Sequence, residues 1–207
     1  MIKMNIVFAY PTGLNPQKGG VERITDIIAK ILLKRGYTIF YLNWKREQDN
    51  YEYPVPVIDL PSSNLEDPNN LEVYNRFLKE NRIDVIINQH GLYEGTYFLS
   101  QVKVQNVKII SVLHSDPFGY YNHLFADLMT LRDSSIKEKV KRVARFFLYR
   151  KVKKIIHRSL VNHYTFIQEH PQYVCLLSES YKERLEEYCD LPDNYFISIP
   201  NPNTYEN

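Results

Sequence analysis

His114 stands directly after the run Val107–Leu113, which is continuous and rich in β-branched residues. A histidine at the end of such a strand can donate a hydrogen bond, carry a proton or orient a reacting group. It can equally be a satisfied side chain at a strand end. His90 holds a comparable place in Asn88-Gln89-His90-Gly91, after Ile83–Ile87, although the glycine beside it fits a turn as well. Ser115 and Asp116 follow His114, and Ser178 and Glu179 follow Gln172–Leu177. Near the amino terminus, Gly19 and Gly20 precede an amphipathic segment. Glycine admits close backbone approach, and the first N–H groups of a helix favour an anion such as a diphosphate. The pair also suits a loop that merely needs turns, and it belongs to neither G-x-G-x-x-G nor G-x-x-x-x-G-K-[ST]. His123, His157, His163 and His170 fall in helical stretches and read as surface or packing residues. No two histidines have a metal-ligand spacing backed by a carboxylate, so no metal is expected.

These positions gain meaning from the elements that must carry them. Asn5–Tyr10 reads as a buried strand, and Pro11–Gly20 as a loop dense in proline, glycine and asparagine. Val21, Ile24, Ile27, Ile28, Ile31 and Leu32 then recur as one apolar helix face, closed by Gly36 after Lys34 and Arg35. Tyr37–Asn43 returns as a second strand. Strand, loop, helix and strand make a βαβ unit, with parallel strands and a right-handed crossover. The alternation continues with a short strand at Val55–Leu60, a helix at Asn70–Asn81 and strands at Ile83–Ile87 and Val107–Leu113. A long helix or pair of helices follows between about Ser134 and Glu169, then strands at Gln172–Leu177 and Phe196–Ile199. The fold class is α/β: a Rossmann-like, doubly wound parallel sheet in one domain spanning 1–207. In such sheets ligands bind beyond the carboxyl ends of the strands, near the reversal of strand order. The candidates Asn88, His90, His114, Asp116, Ser178 and Glu179 all follow strands.

Composition narrows the classes. Hydrophobic residues at 44% and charged residues at 24% exclude a mostly disordered chain. Two cysteines, Cys175 and Cys189, are too few for a disulfide framework and favour a cytoplasmic setting. Neither a signal peptide nor an apolar run long enough to span a bilayer is visible. The net charge of +2 does not favour a nucleic-acid partner. It conceals one strongly basic segment, however: Arg132–Arg158 holds eleven basic residues against Asp133 and Glu138. Val140, Val143, Ala144, Phe147, Leu148, Ile155 and Ile156 recur there at helical spacing. The segment reads as a core-packed helix with a solvated basic face, as a nucleic-acid contact, or as a helix on an anionic membrane surface through Arg150, Lys151, Lys153 and Lys154.

Lys18-Gly-Gly-Val-Glu-Arg23, the Ile-rich helix and Arg35-Gly36-Tyr37-Thr38 together resemble the amino-terminal half of a GT-B fold glycosyltransferase of family 4. Ile109-Ile-Ser-Val-Leu-His114 resembles the strand that delivers that family's active-site histidine. Val174-Cys-Leu-Leu-Ser-Glu179, with the later Ile197-Ser-Ile-Pro-Asn-Pro202, resembles the end of that half. The likeness spans about residues 4 to 203. It implies that Gly19 and Gly20 approach the diphosphate of a nucleotide-sugar. It implies that His114 lines the site beside the transferred sugar, and that loops after the strands hold a carbohydrate or lipid-linked acceptor. Sugar transfer would proceed with retention, without metal, and with no cofactor beyond the nucleotide-sugar co-substrate. The family's second domain, with most nucleotide contacts and a Glu-x7-Glu motif, would follow Ile-Pro-Asn-Pro. Glu179/Glu187 and Glu72/Glu80 have that spacing but lack glycine-rich surroundings, and read as chance matches.

The expectation is therefore the acceptor-binding domain of a retaining hexosyltransferase for a cell-surface polysaccharide or glycolipid, cytoplasmic and peripheral on the inner face of the membrane. Alone it should be inactive. The alternative is a stand-alone α/β binding module for an anionic ligand or a membrane surface. A dinucleotide-dependent oxidoreductase lacks its glycine fingerprint and has no acidic residue ending the second strand at Asn43-Trp44. Trp44, Tyr51 and Tyr53, in the loop 44–70, offer either carbohydrate stacking or a surface excursion packing its own aromatics.

Overall fold

The computed structural model describes residues 3–45, 50–91, 94–119, 121–123, 136–170, 172–186, 190 and 192–200, with backbone only for 136–139, 142, 145 and 146. Arg132, Ser134, Glu187, Cys189, Asn201 and Pro202 lie outside the described residues. The elements in chain order are β1 (Asn5–Tyr10), α1 (Gly20–Lys34), β2 (Thr38–Asn43), β3 (Val57–Asp59), α2 (Pro68–Glu80) and β4 (Val85–Asn88). They continue with α3 (Glu94–Leu99), β5 (Lys108–Leu113), α4 (Ile136–Glu169), β6 (Tyr173–Leu176), α5 (Ser180–Glu186) and β7 (Phe196–Ser198). All seven strands pair in parallel, in the order β3-β2-β1-β4-β5-β6-β7.

The doubly wound expectation therefore holds, and the strand residues explain it. Side chains alternate across a strand. Val7 and Ala9 of β1 enter one core with Leu42, Tyr74, Phe77, Phe98 and Ile109, beneath α2 and α3. Ile6 and Phe8 enter another with Ala29, Ile39 and Tyr41, beneath α1. A third cluster joins Leu160, Tyr164 and Ile167 of α4 to Leu113, Val174 and Leu176. Central strands covered on both faces are accordingly mostly apolar, with Asn88 and Ser111 as buried polar exceptions.

Local chemistry sets the helix ends. Gly36 has φ +85°. Its N–H donates to the Leu33 carbonyl at 2.9 Å, and the Tyr37 N–H donates to Leu32 at 3.2 Å. That pair of hydrogen bonds around a left-handed residue is the Schellman closure, which glycine enters without a Cβ penalty. On α1 the buried positions are Glu22, Ile24, Thr25, Asp26 and Ala29, while Ile31, expected on the apolar face, is 46% exposed. The helix α2 starts two residues before the expected Asn70. Asp67 caps it by accepting from the Asn69 N–H at 2.9 Å, and Pro68 takes the first position, where no intrahelical donor is lost.

The loop after β2 packs its own aromatics. Trp44 is buried in the core, and its ring lies against Gly95, where a β-carbon would come within 3.2 Å. Tyr53 meets Tyr41 edge-on at 6.0 Å, and Tyr51 meets Tyr53 at 5.0 Å. Burial of Trp44 overturns its reading as a sugar-stacking platform.

Candidate functional site

The chain runs outward from β1 to β2 and β3, then crosses back to β4 on the other side of β1. The loops leaving β1 and β4 diverge there and open a crevice. A cleft of about 200 Å³ occupies it, lined by Tyr10 at the end of β1, by Gln89, His90 and Gly91 after β4, by His114 after β5 and by Val21 of α1. A larger groove of about 940 Å³ lies between α2 and the segment before β5. Arg82 and Lys103 on its wall precede β4 and β5, so it sits at the opposite edge of the sheet. It gathers no buried polar groups, and the smaller cleft is the candidate site.

His114 is half-buried at the cleft. Its Nε2 lies 2.6 Å from Gln89 Oε1, and its Nδ1 is enclosed without a partner. Burial lowers its pKa below the usual histidine value, so the ring is neutral at pH 7. His90 meets Tyr10 edge-on at 6.3 Å, and its Nδ1 is also enclosed without a partner. Its pKa is lowered as well, by burial above all, with Lys45 adding to the effect and Glu94 opposing it. Two neutral imidazoles thus share one cleft. Gly91 brings the loop close to β5, because a β-carbon there would come within 2.6 Å of the Val112 carbonyl oxygen.

Asn88 does not face the cleft. It is fully buried, and its Nδ2 donates to Thr96 Oγ1 at 3.1 Å and to Ser111 Oγ at 3.3 Å. Ser111 passes the chain on to Gln172 at 2.7 Å, and Gln172 donates to Ser100 at 3.2 Å. The Asn88 Oδ1 accepts from the His90 N–H at 3.1 Å. Asn88 therefore shapes the turn that carries His90, which corrects its reading as an acceptor-side residue.

Gly19 caps α1 in an extended conformation. A β-carbon there would come within 2.5 Å of Glu22 Oε2, so the glycine makes room for a nearly buried carboxylate at the helix start. Around Gly20 a β-carbon would meet nothing within 4 Å. The amino end of α1 keeps open space at Gly20, while Glu22 already supplies negative charge beside Gly19. Asp116 accepts from the Phe118 N–H at 2.9 Å and from Arg184 Nη1 at 2.6 Å, tying the loop after β5 to α5. Ser178 bonds Ser180 through the hydroxyls at 2.9 Å, and Glu179 is exposed at the start of α5. These three stand at carboxyl ends of strands but outside the cleft lining.

The helix α4 is continuous over 34 residues, about 50 Å at 1.5 Å per residue. Among its described side chains, those packed against the sheet are in the carboxyl half: Ile156, Leu160, Tyr164 and Ile167. Val140, Val143, Phe147, Leu148 and Ile155 are exposed, Phe147 at 78%. This overturns the core-packed reading for those positions. Val140, Val143, Phe147, Lys151, Lys154 and Arg158 follow spacings of three and four and form one outward stripe, apolar and then basic, all exposed. Arg150 is exposed at its margin. Lys153 turns inward, with its Nζ 4.8 Å from the Tyr121 ring centre and 5.9 Å from that of Tyr149. Among the described residues no helix is long and apolar enough to cross a membrane.

With this geometry in place, the family model for glycosyltransferase family 4 matches residues 18–202. The chain belongs to glycosyltransferase family 4. A glycosyltransferase from Rickettsia africae ESF-5, 15% identical, superposes with a TM-score of 0.52 over 96% of this chain and 43% of its own. WaaG, a glycosyltransferase involved in lipopolysaccharide biosynthesis, is 14% identical, with a TM-score of 0.49 over 94% of this chain and 44% of its own. The family-4 chain described here thus spans less than half the length of those proteins. No curated protein matches it.

Sequence reasoning marked Gln89 as a strand-end position without giving it a role, and missed Tyr10 as a cleft residue of this family-4 chain. Both directly follow or end a strand at the switch point, the same signal that singled out His90. It also missed Glu22, whose signal was a carboxylate in the first turn of a helix capped by glycine.

Proposed function

We propose that the chain is the acceptor-binding half of a retaining, nucleotide-sugar-dependent hexosyltransferase. It would act in cell-surface polysaccharide or glycolipid synthesis, on the cytoplasmic face of the membrane. The observation that carries the reading is a neutral His114 beside Gln89 in the switch-point cleft of a family-4 chain. A second domain, beyond the span described here, would hold most of the nucleotide and complete the cleft. The nucleotide-sugar is a co-substrate, and no further cofactor is invoked.

In the reaction the acceptor hydroxyl oxygen forms a bond to the anomeric carbon while the bond to the diphosphate oxygen breaks. The acceptor's proton leaves with the diphosphate. His114, neutral at pH 7, orients a sugar hydroxyl through its ring N–H rather than donating a full proton. The amino end of α1 at Gly20 offers N–H groups to the diphosphate. The stripe on α4 supports a peripheral membrane contact: Lys151, Lys154 and Arg158 suit anionic headgroups, and Val140, Val143 and Phe147 suit the acyl boundary. That same stripe favours the second reading, a membrane-binding module without transferase activity.

The experiment is sugar transfer by the full-length protein from a panel of nucleotide-sugars. His114→Ala should lower kcat/KM by roughly 100-fold or more while the fold is retained, and residues 1–207 alone should be inactive. Equal activity of the His114→Ala protein would refute the site. Vesicle binding with no transfer by the full-length protein would establish the module instead.

A further inference from the structure

We propose that Gln89 is a positioning residue that holds His114 as the Nε2–H tautomer. This makes His114 a hydrogen-bond donor to the cleft rather than a base; the catalytic consequence rests on the glycosyltransferase reading, whereas the tautomer does not. Gln89 is 3% exposed, and its backbone is fixed because its N–H donates to the Ala9 carbonyl at 2.9 Å, extending the β1–β4 ladder past the end of β4. Its side chain therefore starts from a rigid point at the switch. The amide oxygen lies 2.6 Å from His114 Nε2. An amide oxygen only accepts, so at that distance Nε2 carries the proton. A neutral imidazole has one N–H, and Nδ1 is left as a bare lone pair, enclosed and unpartnered. Chain order alone leaves the two tautomers equivalent; the partner of one nitrogen decides the other.

The two nitrogens are thereby given unequal roles. Nδ1 cannot take a proton without placing a buried charge in a cleft where burial already disfavours the charged ring. Nε2 presents its N–H on the side of the ring where Gln89 sits. A ligand oxygen that reaches His114 either shares that N–H or displaces the amide. The glutamine thus holds the place of a ligand hydroxyl oxygen and returns to it after release.

The test is nitrogen-15 NMR of the histidine-labelled full-length protein without substrate, in which the shifts of the two ring nitrogens report the tautomer directly. Wild-type His114 is expected as the Nε2–H form, and Gln89→Met, similar in length but lacking the acceptor, is expected to show a mixture. Gln89→Glu keeps an acceptor oxygen but adds charge. It is expected to retain the Nε2–H form and to raise the titration midpoint of His114 by about one pH unit, a tenfold gain in proton affinity. A wild-type ring protonated at Nδ1, an unchanged tautomer in Gln89→Met, or an unmoved midpoint in Gln89→Glu each overturns the proposal. Should transfer fail in every assay while these shifts hold, the tautomer assignment survives and the enzymatic reading does not.

Discussion

His163 and Gly91 lie 72 positions apart and are joined by a hydrogen bond of 3.3 Å, from the ring Nε2–H to the backbone carbonyl. The bond fastens the half of α4 that packs on the sheet to the loop that carries His90. His163 is fully buried, with its ring against Tyr97 and Tyr164. A residue read as surface or packing thus proves to be an internal support of the cleft.

That support is pH-dependent. Burial pushes the His163 pKa down to about 4 from 6.5, with the Gly91 bond opposing the shift. The unfolded chain therefore binds more protons than the folded one between those values, and stability rises with pH across that window. The contribution is complete above pH 6.5 and falls away as pH drops, by roughly 3 kcal/mol by pH 4. Urea unfolding of the wild type and of His163→Gln from pH 4 to pH 7.5 measures it; the wild-type curve should be the steeper. His90 and His114, also lowered, remain in both proteins and cancel in the comparison.

Asn88→Ala should cost about 1–3 kcal/mol, because it strips a partner from buried Ser111 and Thr96 and from the turn at His90. The loss should appear as a lower urea midpoint with an unchanged slope. A variant as stable as wild type would mean that water replaces the amide.

Three glycines should separate by their surroundings. Gly91→Ala drives a β-carbon into the Val112 carbonyl oxygen and should destabilise by about 1–3 kcal/mol. Gly20→Ala meets open space and should leave stability within about 0.5 kcal/mol. If the donor diphosphate approaches Gly20, the same variant raises the KM for the nucleotide-sugar with its stability intact. Gly19→Ala should be intermediate, because the Glu22 side chain can move aside.

The basic residues of α4 should split in two. Lys151→Glu and Lys154→Glu should each weaken binding to phosphatidylserine vesicles by about 1 kcal/mol or more, and added salt should erase the difference. Lys153→Glu should instead lower thermal stability, since its stem and charge lie over Tyr121 and Tyr149. Co-sedimentation and thermal melts of the three variants check both statements. Equal vesicle loss for Lys153→Glu and Lys154→Glu would remove the stripe as the contact.

The architecture was legible because alternating apolar runs and helical periods state which elements are covered and in what order. The place of His114 at a strand end followed from that alone. Period does not say which way a strand-end side chain turns, and this separates Asn88 from Gln89: adjacent residues, one inside the core and one on the cleft. Nor does it say how far a helix rides on the sheet. The exposed Val140, Val143 and Phe147 have the same spacing as the buried Leu160, Tyr164 and Ile167, and only tertiary contact distinguishes them. The six-residue α3 is too short for a period to register, so Gly95 gave no sign that it seats Trp44.

The sheet closes on strands of three residues at either side, β3 and β7, against six in β1, β2 and β5. An outermost strand exposes unpaired backbone groups, and its length limits how many hydrogen bonds an incoming strand can make. Among the described residues, each border of this sheet offers a foreign chain three residues of strand backbone, too little to nucleate stable pairing. Concentrated protein should therefore resist edge-to-edge fibre growth while its long, apolar central strands stay sealed inside.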